Sequence, residues 1–442
     1  MLDIKYIREN QEAVQKAITD KNCDLNLLEL IEIDKERVAL IQEVEELNSL
    51  KNDINEMMKS AKDDEERQEI ITKAKIFKEK LEVKEPLLRD VKERFLNLMV
   101  KVPTVPASDA PVGKDEDDNV VVYEKGEKPT FSFPPKTHVE IAESLDLIDF
   151  KQGVKTSGYR GYYLKNEGAE LVMALMMYAM HKMISKGFAP MMPPTLVKEF
   201  SLFGTGYFSG AHYDSDVDEI YQIASSDKDV DGETSKEKKF LTGTSEASLL
   251  AYFADKVLDE DELPIKVAGF SQCYRSEIGS YGKDTAGLYR VHEFMKVEMV
   301  ALTTADIDGS EKLQEEMVAI SEEVHQELGL PYRKLAICSG DMGTGKYRMF
   351  DLEAWMPGLD RWGETGSASN FLDWQSRRLN VKYKDKDGKK KYVYMLNNTV
   401  LPSARPLIAI LENFQQEDGS VIVPEVLRPY MPQNRERIVP KK

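Results

Sequence analysis

The feature that most restricts how this chain can fold is a heptad-like stretch near its start. Residues 27–100 contain no glycine and are rich in Glu, Lys and Leu. Within them Ile33, Arg37, Leu40, Val44, Leu47, Lys51, Ile54 and Met58 stand alternately four and three apart. Ile70, Ala74, Phe77, Leu81, Lys84, Leu88, Val91, Phe95 and Leu98 repeat the spacing, which is the a/d seam of a coiled coil. The polar run "SAKDDEE" between the halves has room only for a turn. The two helices therefore fold back as an antiparallel hairpin, each arm about 40 Å long at roughly 1.5 Å per residue. Periodicity alone leaves two uses open, a dimerisation coiled coil or an arm that presents a polar face to a ligand. Pro86, inside the second helix, lacks a backbone donor and is predicted to kink it.

"KVPTVPASDAPVGKDEDDN" follows, with prolines and an acidic run, and reads as a linker. The expected organisation is an arm domain over 1–108 and a second domain over 109–442, of which 109–137 is linker. From about residue 138 helical and strand patterns mix. "GAELVMALMMYAMHKMISKGF", "ADIDGSEKLQEEMVAISEEVHQELG" and "ARPLIAILENFQQ" have helical character. "PIKVAGF", "FMKVEMVAL", "KLAICSG", "FDLEAWM" and "KYVYMLNN" read as strands. Strands joined by hairpins and long connections predict an antiparallel sheet flanked by helices, an α+β fold.

A net charge of −18 over 442 residues argues against indiscriminate nucleic-acid binding but leaves room for a local basic face that meets a structured RNA. Cys23, Cys273 and Cys338 lie far apart without CxxC spacing, and the histidines form no HxxxH pair. Neither a disulfide framework nor a zinc site is expected, and a reducing cytoplasm fits. The start "MLDIKYIREN" has no apolar core of signal-peptide length, and no window has membrane-span character, so no membrane partner is expected.

Two motifs nearly match known ligand loops. "GDMGTGKY", Gly340 to Tyr347, follows the GxxxxGK spacing, but Tyr347 replaces the magnesium-binding hydroxyl and the chain continues as strand instead of helix. "DKDVDG", Asp227 to Gly232, imitates the opening of a calcium loop, yet its twelfth position is Lys238 where a glutamate is needed. It reads as a solvated insertion, residues 225–239.

The chemistry concentrates elsewhere. In "CYRSEIGSYGKDTAGLYRVHEF" two apolar runs flank a loop containing Gly279, Ser280, Tyr281 and Gly282, so that Arg275 and Arg290 can stand on neighbouring strands and face one ligand. Guanidinium forks suit a polyphosphate and stay charged at neutral pH. Phe294 can lay its ring on a purine. "LTGTSEASLLAYF" sets Thr244 and Ser245 before Glu246 at a helix start, by itself a capping box. In "GETGSASN" Glu364 neighbours small hydroxyl residues, and Arg405 opens an otherwise apolar helix.

Together these stretches resemble bacterial-type seryl-tRNA synthetases, class II aminoacyl-tRNA synthetases, over nearly the whole chain. "GFAPMMPP" with its preceding helix is similar to class II motif 1, the dimer element. "YRSEIGSYGKDTAGLYRVHEFMKVE" is similar to motif 2, and "NNTVLPSARPLIAILEN" to motif 3. The resemblance implies a six- or seven-stranded antiparallel sheet, and a serine–tRNA ligase that forms seryl-adenylate from L-serine and ATP and transfers it to tRNA(Ser), with tRNA(Sec) as a further acceptor. It also implies a cytoplasmic homodimer whose helical arm grips the tRNA, with Lys73, Lys75, Lys78 and Lys80 on the arm's outer face.

By residue-level match, Arg275 bridges the α-phosphate and the serine carboxylate, and Arg290 and Arg405 hold the outer phosphates. Phe294 stacks on adenine and Glu277 meets the purine edge. The implied ATP-binding set also includes Ser276, Val291, Thr365 and Gly366. Glu364 and Ser367 ligate Mg2+, and Arg275, Arg405 and Glu364 carry catalysis. Serine is held by Thr244, Ser245, Glu246, Arg275, Glu298 and Thr399, and no zinc is involved. "TSE", "ETGS" and "NNTVLPSAR" depart from the family's commoner "TAE", "EISS" and "NGSGLAVGR", which touches pocket geometry while leaving every charged role filled. The alternatives are a synthetase-like paralogue that binds RNA without charging it, a ligase that charges a carrier protein, and a structural coiled-coil protein.

Overall fold

The computed structural model describes residues 1–224, 227–228, 230–235, 237–278 and 286–441. The glycine-bearing tip Gly279, Ser280, Tyr281 and Gly282 lies outside the described residues. The chain divides into two compact units, Leu2–Thr19 with Cys23–Val102, and Pro103–Lys442 with Met1 and Asp20–Asn22.

The first unit is built on two long antiparallel helices, α1 (Leu27–Ser60) and α2 (Asp64–Met99). Asn26 and Asp63 cap them by accepting hydrogen bonds from first-turn backbone N–H groups. At 34 and 36 residues they are about 51 and 54 Å long, longer than the spacing predicts. Their seam is the expected one: Ile33, Leu40, Val44, Leu81, Leu88 and Val91 are buried together, with Leu47, Phe95 and Leu98 packed against them. Arg37, a cation at a seam position, lies 4.2 Å from the Phe95 ring centre and 2.7 Å from the buried Asp34. Lys84 reaches Glu43 of the other helix at 2.7 Å. α2 runs from Asp64 to Met99 with Pro86 inside it.

The second unit is centred on an eight-stranded sheet. In chain order its strands are β1 (Val120–Lys125), β2 (Ala189–Met191), β3 (Ile265–Tyr274), β4 (Glu293–Thr303), β5 (Tyr332–Ala336), β6 (Arg348–Met356), β7 (Arg361–Asn370) and β8 (Tyr394–Pro402). Their spatial order is β1-β5-β6-β7-β8-β4-β3-β2. All neighbours are antiparallel except β2, which adds to β3 in parallel. Four details differ from expectation: the sheet has eight strands, one of them parallel, where the resemblance implies six or seven antiparallel strands, and three local features also depart. Residues 120–125, inside the expected linker, form the edge strand β1, since Val120 to Lys125 pair with β5. β7 coincides with "GETGSASN", whose small polar residues give no strand signal. "KYVYMLNN" is split, with Lys390–Tyr392 in a separate small sheet and β8 starting at Tyr394.

One face of the sheet is buried under α3 (Asn166–Ser185), α4 (Ile307–Glu327) and α5 (Ala404–Asn413), which share a core with Val297, Met299 and Ala301 of β4. Alternation along β4 turns Lys296 and Glu298 to the opposite face. A short helix, α6 (Glu246–Ala251), lies over that face, where Leu249 and Leu250 pack with Val300 and Leu302. Gly269 of β3 makes this approach possible: a Cβ there would meet Leu249 Cδ1 at 2.9 Å and Ser245 Oγ at 3.1 Å.

Candidate active site

An open cleft on that face is lined by Arg275, Glu277, Arg290, Phe294, Lys296, Glu364, Thr399 and Arg405 among others. Three guanidiniums from separate stretches therefore converge on one space. Arg275 follows the end of β3, and its guanidinium carbon lies 5.6 Å from the Phe294 ring centre. Arg405, in the first turn of α5, donates to the Glu364 carboxylate at 3.1 Å and, through Nε, to the Tyr289 carbonyl at 3.2 Å. Arg290 donates to Glu277 Oε2 at 3.3 Å, and Arg160 reaches the same oxygen at 3.4 Å. Glu277 thus orients two cations, in addition to lining the cavity.

A second cluster stands deeper. Glu298 lies opposite Thr399 in the β4–β8 ladder, and Thr399 Oγ1 donates to its Oε2 at 3.1 Å. Lys296, two residues back on the same face, places Nζ 2.5 Å from that oxygen, with both side chains buried. Glu246 at the start of α6 accepts from Tyr207 at 3.0 Å and Gln375 at 2.7 Å. Burial and then the charge of Glu298 push its carboxyl above the ordinary range, with the Gln375 and Asn397 hydrogen bonds and Lys296 opposing. Two carboxylates with this mutual repulsion favour a cationic guest. Thr244 Oγ1 accepts from the Glu246 N–H at 3.4 Å, whereas Ser245 makes no side-chain cap and turns its hydroxyl to the Gly269 carbonyl. The capping box is thus not formed, and the Glu246 carboxylate is held instead by Tyr207 and Gln375.

A third group sits on β6 and β7. Ser367 is paired with Asp351 and Glu364 with Glu353, so all four share one face. Glu364 keeps 47% of its side chain open. The surrounding protein disfavours its charge, but Arg405 and then Arg275 hold its carboxyl below the ordinary range. Asp351 is pushed up by burial and then by Glu364, with Lys346 opposing, and its buried Oδ1 has no hydrogen-bond partner. An orphaned carboxylate oxygen beside a second carboxylate and a hydroxyl is a donor set that fits Mg2+, which takes few protein ligands and completes its shell with phosphate oxygens and water.

A family description, "Seryl-tRNA synthetase N-terminal domain", matches residues 1–106, and "tRNA synthetase class II core domain (G, H, P, S and T)" matches residues 229–414. The chain is 40% identical over 432 residues to the serine–tRNA ligase of Treponema denticola, covering 97% of this chain and 98% of that one. It belongs to the seryl-tRNA synthetase family. The serine–tRNA ligase of Deinococcus radiodurans is 41% identical over 431 residues, with 98% and 97% covered. Among solved structures, seryl-tRNA synthetase from Pyrococcus horikoshii complexed with ATP superposes with a TM-score of 0.86 at 34% identity over 100% of both chains. The cytoplasmic serine–tRNA ligase of Naegleria fowleri in complex with AMP gives 0.83 at 30% identity over 100% of this chain and 99% of that one.

Of the residues singled out by sequence, Arg275, Glu277, Arg290, Val291, Phe294, Glu364, Thr365, Gly366, Thr399 and Arg405 line this synthetase-family cavity. Glu246 and Glu298 are held behind it by the contacts above. The Thr365 side chain is buried and bonded to His325 at 2.6 Å, so only its backbone can face the cavity. Burial holds the His325 ring below the ordinary imidazole range. Ser276 Oγ is buried without a hydrogen-bond partner. Sequence reasoning missed Lys296, Asp351, Tyr207 and Gln375. The two-residue spacing of Lys296 from Glu298 was a usable signal; Tyr207 and Gln375 come from distant segments and had none.

Proposed function

We propose that the cavity activates L-serine with ATP and that the chain then charges tRNA(Ser). The observation that carries the reading is the convergence of Arg275, Arg290 and Arg405 on one cavity that Thr399 also lines, with Glu298 bonded to Thr399 just behind it. In the first step a serine carboxylate oxygen attacks the α-phosphorus of ATP and pyrophosphate leaves. In the second a ribose hydroxyl at the tRNA terminus attacks the seryl carbonyl and AMP leaves. No side-chain nucleophile is needed, so rate comes from positioning and from stabilising charge on phosphate oxygens.

Arg275 bridges the α-phosphate and the serine carboxylate, while Arg290, oriented by Glu277, and Arg405, anchored to Glu364 and Tyr289, hold the outer phosphates. Phe294 takes the adenine face. Glu246 and Glu298 receive the ammonium, and Thr399 with Glu298 meets the serine hydroxyl. A site with buried polar groups aimed at that hydroxyl rejects alanine, which leaves them unpaired. Glu364, Ser367 and Asp351 would hold Mg2+, which supplies charge neutralisation on the phosphates.

The arm grips tRNA(Ser), and on family resemblance tRNA(Sec) as well, through the exposed Lys73, Lys75, Lys78 and Lys80. A homodimer forms through α3 and the segment just after β2, where Met173, Met177, Ile184 and Met192 leave an apolar stripe 66, 50, 48 and 86% exposed. The free cysteines suit a reducing cytoplasm, and among the described residues no helix is long and apolar enough to cross a membrane. Pyrophosphate exchange measured with each of the twenty amino acids tests the reading. Exchange dependent on serine is expected; exchange with none, or with alanine as well as serine, overturns it.

A further inference from the structure

We infer that His325 is a positioning residue for the phosphate and metal end of the site, acting through Thr365. The inference rests on the reading of Glu364 and Ser367 given above. In a regular strand, residues three apart point to opposite faces. Glu364 and Ser367 nevertheless share a face, because they stand opposite Glu353 and Asp351, which are two apart on β6. The register steps from Leu352–Gly366 to Glu353–Glu364, which leaves Thr365 as an extra residue. Without this bulge Glu364 would turn into the core face or Ser367 would leave the cavity face, and the pair could not meet one ion.

The side chain of Thr365 is what ties the bulge down. It is 1% exposed, and its Oγ1 lies 2.6 Å from His325 Nε2 and 3.2 Å from the Leu352 carbonyl. His325 Nδ1 faces the Ser321 carbonyl at 2.7 Å. A carbonyl only accepts, so Nδ1 carries the ring proton, and the one proton of the Thr365 hydroxyl goes to Nε2 of the neutral imidazole, the nearer acceptor, leaving the Leu352 carbonyl as a secondary contact. The ring is fixed in turn by the packing of α4 and by Tyr332, whose ring centre is 5.5 Å away. A histidine on the helix behind the sheet thereby sets which face the carboxylate of Glu364 presents.

The test measures binding of ATP to the intact protein by titration calorimetry, with and without Mg2+, alongside thermal unfolding. Thr365→Val keeps the shape and removes the hydroxyl; His325→Leu removes the acceptor. Each is expected to weaken ATP binding in Mg2+ about tenfold, ~1.4 kcal/mol, while metal-free ATP binding and the KM for serine change less than about twofold. The double variant should lose no more than either single one, because both remove the same bond. Thr365→Ser should recover the loss. Wild-type affinity for ATP with Mg2+ in Thr365→Val, or equal losses with and without Mg2+, overturns the inference. If the unmodified protein binds ATP equally with and without Mg2+, the metal reading falls first, and this inference with it.

Discussion

In the helical arm, two of the cations at seam positions are paired with carboxylates: Arg37 with Asp34 and Lys84 with Glu43. In the catalytic sheet, carboxylates are set against carboxylates. Glu246 stands near Glu298, and Asp351 stands near Glu364, and in each pair one carboxyl is pushed above its ordinary range. The arm's pairs satisfy their own charges, so they serve the fold and little else. The sheet's like-charge pairs are only partly offset by the protein's own cations, Lys296 beside Glu298 and Arg405 beside Glu364, since Glu246 and Asp351 are still pushed up. Under the proposed function they receive positively charged guests, an ammonium at one pair and a divalent ion at the other.

The sharpest way to break this contrast is Arg275→Ala, which should lower serine-dependent pyrophosphate exchange about 10²–10³-fold, ~3 kcal/mol, with thermal stability nearly unchanged. Exchange at the wild-type rate would remove Arg275 from the site. Next, Glu298→Gln should weaken serine binding and destabilise the fold by about 3 kcal/mol, because Lys296 is left buried without its counter-charge. Adding Lys296→Met should return most of the stability and none of the serine affinity. If serine affinity returns too, Glu298 is structural. Leu88→Ala, in the seam, should cost about 2 kcal/mol of arm stability by cavity formation, slow tRNA charging several-fold and leave exchange intact. Parallel losses of exchange and charging would show that the two units do not divide the work.

The smallest effect is in pH dependence. Glu246 has a raised pKa from burial and then from Glu298, so as pH falls it takes up a proton before an ordinary carboxylate would. The attraction for the ammonium weakens at that point, and the KM for serine should rise on the acid side at a pH above the usual carboxylate range. Initial rates across pH check this; a KM that stays flat until that range is reached refutes it.

The arm was legible in the sequence because a seam is a statement about burial, and burial has a period. The three arginines and Phe294 were legible because they flank a hairpin loop and open a helix. Asp351 and Lys296 were not singled out, since each sits inside a strand whose period predicts only its face. The pairing of Glu364 with Ser367 came from family resemblance alone. Strand alternation would have separated them, and the bulge that joins them depends on a hydroxyl reaching a histidine 40 residues earlier. β1 escaped because its six residues follow an acidic, proline-rich run and gain their strand character from β5.

Gly269 stands opposite Glu298 in the ladder and directly beneath Ser245 and Leu249. If serine sits behind the cavity as proposed, the depth of its recess is fixed there by main chain pressed against a helix. A lineage seeking room for a larger amino acid would have to lift the whole of α6, together with the glutamate it carries, which gives the recess an architectural resistance to drifting toward bigger guests.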